Sequence, residues 1–301
     1  MIQKRFHFFW TSHTAGGGFE FHKKPKVRKC YGNFGIPHNE HSFSFPGQFE
    51  NLLSDGEHEV VNHAKCGYGN ELMYRKVFEV IENPHFHINR DILFLEISDA
   101  GRKEIWNNDI NDFVILNYAF EPLANHGVAS KYWYDSHDTI TKLESRREFY
   151  NELIKSSMDS QVQFDLIARN CIMLINFLQN NNIKFYITNG FPPVKPSISE
   201  NYYKVQNHII QYEFITPNGD KIKDETFVTS TEPYYSINLE TGQYYDDFHQ
   251  GLFVNKVVAK TIYNRLVDDK IITSEKQNID WNEWNTITEK IKNNIGILWA
   301  K

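Results

Sequence analysis

Apolar positions along this chain come as short continuous runs separated by stretches with helical spacing. Residues 6–10, Phe-His-Phe-Phe-Trp, form the first run and predict a strand. Phe49, Leu52 and Leu53 fall on one side of a short helix over 45–53. A second strand is predicted over 59–64. A helix follows over 71–82, with Leu72, Met73, Val77, Val80 and Ile81 as its apolar side. Residues 92–97, Ile-Leu-Phe-Leu-Glu-Ile, are nearly unbroken in their hydrophobicity, which suits a strand covered on both faces. A longer helix over 160–179 aligns Ile167, Cys171, Leu174, Ile175 and Leu178. A strand over 184–188 is then stopped by Asn189-Gly190 and Pro192-Pro193.

The stretch 113–149 is aromatic without a clear period and reads as an irregular insertion. Over 207–245 the period becomes two, and the Pro217-Asn218-Gly219-Asp220 turn predicts a hairpin. A helix over 252–267 turns Val254, Val257, Val258, Ile262 and Leu266 inward. A last helix begins near Asp280 with Glu283 as its capping-box partner, and Trp281, Trp284, Ile287 and Ile291 share its face. Strands alternating with helices predict an α/β fold, a flavodoxin-like doubly wound parallel sheet. One domain is expected over 1–270, with the insertion at about 105–158 and the hairpin at about 205–245, and 271–301 is a helical extension. Ligands bind such sheets beyond the carboxyl ends of the strands, which selects the loops opening with Thr11, Lys65, Ser98 and Asn189.

Composition narrows the partners. The 301 residues are 41% hydrophobic and 23% charged, ordinary for a soluble globular protein. Net charge is −6, and the longest basic cluster is Lys23-Lys24-Pro25-Lys26-Val27-Arg28, which argues against a nucleic-acid groove. Cys30, Cys66 and Cys171 are odd in number and scattered, forming neither a disulfide framework nor a metal signature. With no signal-peptide pattern and no membrane-length apolar run, a cytoplasmic protein that does not engage a membrane is expected. His38 and His41 stand three apart beside Gly35 and Pro37, and no third ligand follows at fixed spacing. Histidines are therefore expected at the surface, and neither a metal nor an organic cofactor is called for.

Candidate chemistry sits at the two ends of the strand–helix pattern. A serine hydroxyl needs a base within hydrogen-bond reach, and the base gains from a carboxylate that fixes its tautomer. Ser12 stands at the end of the first strand ahead of Gly16-Gly17-Gly18. Asp246-x-x-His249 precedes the helix over 252–267 at a spacing that lets the acid orient the imidazole, with Asp247 as the rival acid. His13 borders the nucleophile position. Arg102 offers either a clamp for an anionic substrate group or a salt bridge to Glu96 or Asp99. Tyr132, Trp133 and Tyr134 in the insertion offer flat faces for a sugar ring, whereas Trp281 and Trp284 at helical spacing suit a core.

Together these residues resemble the SGNH/GDSL hydrolase family. Trp10-Thr11-Ser12-His13-Thr14 takes the place of the family's nucleophile block, with Trp10 and Thr11 where the family has glycine and aspartate. Val61-Asn62-His63-Ala64-Lys65-Cys66-Gly67 matches the "V-N-x-A-x-x-G" block that supplies an oxyanion-hole glycine, and Asp246 and His249 match the closing Asp-x-x-His. Ser44-Phe45-Pro46 ahead of a short helix is similar as well. The family's Gly-x-Asn block would fall at Ile97-Ser98-Asp99, where no asparagine stands, so Ser98 or Asn70 is left to donate to the oxyanion beside the amides of Ser12 and Gly67. The resemblance covers about residues 6–267 and implies a three-layer SGNH-like sandwich. It further implies a serine esterase acting on small acyl esters, carbohydrate O-acetyl groups foremost, without a cofactor. The altered blocks leave open the same fold with catalysis lapsed, binding a glycan or a partner protein.

Overall fold

The computed structural model describes residues 3–9, 44–53, 58–64, 69–97, 102–108, 111–117, 148–149, 152, 160–189, 205, 212–215, 221–224, 252–280 and 282. Strands β1 (Lys4–Phe9), β2 (His58–Asn62), β3 (Asp91–Ile97) and β6 (Phe185–Asn189) form one parallel sheet in the order β2-β1-β3-β6. Phe6 lies opposite Val60 on one side and Ile92 on the other, and Phe94 lies opposite Tyr186. The order steps outward in both directions from β1. This is the flavodoxin-like doubly wound arrangement that the alternating pattern predicts.

Period two sorts the side chains of β1 onto two faces. Phe6 and Phe8 enter a core with Phe45 and Phe49 of helix α1 (Phe45–Glu50) and with Val257, Val258, Ile262 and Leu266 of helix α4 (Leu252–Asp268). Phe8, Phe94 and Tyr186 run across three strands as an aromatic ladder, with stacked ring centroids 4.6 and 5.2 Å apart. Phe9 enters the opposite core with Leu93, Leu95 and Ile97. Helices α2 (Asn70–Ile81) and α3 (Ser160–Asn180) cover that side through Met73, Val77, Leu174 and Leu178. Three layers result, α1 and α4, sheet, α2 and α3, as right-handed crossovers running one way from β1 to β2 and the other way from β2 to β3 and on to β6 require.

Local chemistry sets several element ends. Ser44 caps α1 through a bond from the Gly47 amide, and Pro46 suits the first turn, where its missing N–H costs nothing. Asn182, at φ 55°, closes α3 in the left-handed conformation, and the Ile183 amide reaches back to the Leu178 carbonyl at 2.9 Å. Asp280 accepts the Asn282 amide at 3.0 Å, which is N-cap geometry at the expected place. The rest of that last helix, including Trp281, Trp284, Ile287 and Ile291, lies outside the described residues.

One feature departs from the sequence reading. The stretch expected to be irregular from Phe113 opens with a strand, β5 (Asp112–Asn117), which pairs antiparallel with β4 (Arg102–Asn107). Arg75 of α2 anchors this hairpin, bonding Glu104 at 2.6 Å and lying 4.0 Å over the Phe113 ring. The hairpin expected in the alternating region forms from β7 (Tyr212–Ile215) and β8 (Lys221–Asp224), which pair antiparallel on either side of the Pro217-Asn218-Gly219-Asp220 segment. Among the described residues no helix is long and apolar enough to cross a membrane.

Candidate functional site

In a doubly wound sheet the crevice opens where the strand order reverses, beyond the carboxyl ends of the strands on either side. Here that point lies between β1 and β3, and the strand ends bordering it are Phe9, Asn62, Ile97 and Asn189. Asn62 turns the chain off β2 by accepting the Ala64 amide on its own side chain at 3.0 Å. Eight residues later α2 starts with Asn70, which is 1% exposed. The amino end of a twelve-residue helix therefore stands behind the carboxyl edge, and its partial positive charge favours developing negative charge there.

Behind the same edge lies a polar chain that sequence spacing does not announce. Asp91, fully buried at the start of β3, accepts from Arg5 Nε, from the His87 amide and from Arg90. Its Oδ1 also lies 2.8 Å from His7 Nε2, and His7 Nδ1 lies 2.9 Å from His63 Nε2. The His63 ring is nearly parallel to His7 and to Phe9, with centroids 5.2 and 4.7 Å away. Burial lowers the pKa of His7 despite the adjacent carboxylate. Burial, then the charges of His7, Lys76 and Arg5, lower that of His63 to about 3. Burial alone would raise the Asp91 carboxyl, but the bonds from Arg5, His7 and the His87 amide outweigh it and hold it at about 2.

These positions correct the expectation that histidines lie at the surface. His7 is 4% exposed and His63 is half-buried, because each bonds to a neighbour in the network and stays neutral. The only local hint was a histidine at position 7 inside an otherwise apolar strand.

Of the residues the sequence singles out, Asn70 is the one whose side chain is described, and it sits at the helix end just noted. Arg102 opens β4 opposite Asn117, so it belongs to a hairpin strand directly after β3, and its side chain lies outside the described residues. Ser12, His13, Gly67, Ser98, Trp133, Asp246, Asp247 and His249 also lie outside them. Among the described residues no group of three or more His, Cys, Asp or Glu is arranged to hold a metal ion. Cys171 is buried in α3, 3.1 Å from the Tyr74 hydroxyl, and burial pushes its thiol up to about 11.

Fold and edge together define a flavodoxin-like α/β protein of the kind that builds its site at strand ends. Among solved structures the chain is similar to an acetyl xylan esterase from the rumen bacterium Butyrivibrio proteoclasticus, at 12% identity and a TM-score of 0.38. That match covers 91% of this chain and 66% of the esterase, so the chain spans somewhat under two thirds of its length. No protein-family model and no curated protein sequence matches the chain.

Proposed function

We propose that this chain is a serine esterase of the SGNH/GDSL kind that hydrolyses small acyl esters, O-acetyl groups on carbohydrate foremost. Ser12 attacks the ester carbonyl. His249 takes its proton and returns it to the leaving alcohol, and Asp246 steadies the imidazolium. The amides of Ser12 and Gly67, with Asn70 or Ser98, receive the oxyanion. His13, Arg102 and Trp133 are the candidate substrate contacts, Trp133 by stacking on a sugar ring.

The observation that carries this reading is how two distant segments enter the fold. Ser12 follows the carboxyl end of β1 by three residues, and His249 precedes the first residue of α4 by three. The last turn of α4 lies beside the amino half of β6, where Asp269 accepts the Tyr186 hydroxyl and pairs with Lys184. A helix so placed runs antiparallel to the strands, with its first turn toward the carboxyl edge. Three extended residues reach about 10 Å, which allows hydroxyl and imidazole to meet there. Asn70 already stands behind that edge at a helix amino end.

Trp10-Thr11 and Ile97-Ser98-Asp99, where the family has Gly-Asp and Gly-x-Asn, favour a second reading: the same fold as a non-catalytic module for a glycan or a partner protein. A serine-directed fluorophosphonate separates the two. Labelling of the wild type that vanishes in Ser12→Ala, together with loss of p-nitrophenyl acetate turnover at unchanged circular dichroism, is the esterase result. Folded wild-type protein that neither labels nor turns over leaves the binding module.

A further inference from the structure

Asp91, His7 and His63 come from three neighbouring strands, yet they are bonded in series along one face of the sheet. The series starts at the amino end of β3 and finishes one residue past the carboxyl end of β2. Its direction of donation follows from its first member. An ionised carboxylate only accepts, so His7 Nε2 carries a hydrogen toward Asp91. In a neutral ring the other nitrogen is then a lone pair, so His7 Nδ1 accepts from His63 Nε2–H. His63 is left with its own lone pair on Nδ1. The charged groups around the pair are Arg5, Glu59 and Asp91 from the sheet and Lys76 from α2. The positive members of that set and the burial both act against protonating either ring.

We propose that His63 is a positioning residue for the ester reaction, locked by Asp91 through His7 as the Nε2–H tautomer and clamping the end of β2 onto the end of β1. Its ring lies flat on Phe9, the last residue of β1, while its backbone leads within four residues to Gly67. The His63 amide also bonds the Phe8 carbonyl at 2.8 Å. The two strand ends fastened in this way lead to the nucleophile and to an oxyanion donor of the proposed site. Misplacement on the scale of an ångström between such groups costs up to about a hundredfold in rate. The reaction served rests on the esterase reading, whereas the proton arrangement does not.

Nitrogen NMR of the 15N-labelled wild-type imidazoles tests the arrangement directly. Both rings are expected to carry hydrogen on Nε2 and none on Nδ1 at about pH 8, above the ordinary imidazole range from which each is lowered. A hydrogen on His63 Nδ1, or on both nitrogens of His7, overturns it. Kinetics test the clamp. His63→Phe keeps a ring against Phe9 but removes the donor, and should lower kcat about tenfold or more with KM within about twofold. His63→Gln restores an N–H toward His7 and should recover most of that loss. Wild-type kcat in a folded His63→Phe, or a His63→Gln no better than it, overturns the positioning role. Wild-type protein without Ser12-dependent turnover removes the esterase reading and with it the positioning role, whereas the NMR result decides the tautomers either way.

Discussion

Tyr186 on β6 donates its hydroxyl to Asp269 just past α4, joining residues 83 apart in sequence. Asp269 also pairs with Lys184 and Arg265, so the last turn of α4 is fastened to the amino half of the sheet. Burial alone would raise the Asp269 carboxyl, but Tyr186 and the two cations lower it. Tyr186→Phe is expected to cost about 1.5–3 kcal/mol in urea unfolding, the range for a bond to a charged acceptor. Because this contact lies far from the carboxyl edge, kcat should change by less than about twofold. A large kcat loss at near-normal stability would contradict the placement of the site.

Acid should weaken the fold through its buried imidazoles. His7 and His63 are held neutral in the native protein, whereas each takes a proton near pH 6.5 in the unfolded chain. Below that pH the unfolded chain binds protons that the native protein refuses. The stability is therefore fully present above about pH 6.5 and is lost as pH falls toward about 3, where His63 titrates in the native state. Well below pH 6.5 the slope from His63 approaches about 1.4 kcal/mol per pH unit, and His7 adds in the same direction. Asp91 adds a separate loss lower down, between the ordinary carboxylate range and about pH 2. Urea midpoints between about pH 7 and pH 4.5 measure the histidine part, and His63→Phe should flatten it.

The β4–β5 hairpin should depend on one arginine. Arg75 both bonds the buried carboxylate of Glu104 and covers the Phe113 ring, so Arg75→Ala removes an ion pair and a cation–π contact together. A loss of about 2–3 kcal/mol is expected. A double-mutant cycle with Glu104→Gln should return a coupling above about 1 kcal/mol. Coupling near zero would mean that the hairpin docks by other contacts.

Two acids compete for the proposed base. If Asp246 orients His249, Asp246→Asn should lower kcat by about a hundredfold to ten-thousandfold, while Asp247→Asn stays within about threefold of the wild type. Hydrolysis of p-nitrophenyl acetate by both variants decides it, and the reverse order would assign the role to Asp247.

The oxyanion donor can be separated in the same assay. Asn70 stands buried at the amino end of α2, whereas Ser98 follows directly after β3. Asn70→Ala is expected to cost about a hundredfold in kcat and Ser98→Ala less than about fivefold. Comparable losses in both would mean that the two share the oxyanion.

Much of the scaffold was legible because burial leaves a local record. The unbroken run in β3 marked a strand covered on both faces, and the spacing of Leu174, Ile175 and Leu178 marked the buried side of α3. The β4–β5 hairpin was not legible, since its alternation is mixed and its pairing is stabilised by Arg75 from another element. Asn70 could be singled out by its place after the glycine-bearing block, but its burial could not.

By itself the sequence determined the strands of the parallel sheet, the helices that cover it, the doubly wound class, and the edge that such a sheet offers to a ligand. Those follow from periodicity and from the handedness of crossovers, which short stretches of chain already carry. Only the tertiary structure decided that His7, His63 and Asp91 form one bonded series, although His7 and His63 lie 56 residues apart and His7 and Asp91 lie 84 apart. Strand register sets those meetings. Hydrogen bonds between distant segments impose no spacing on the residues that make them, so no local pattern records them.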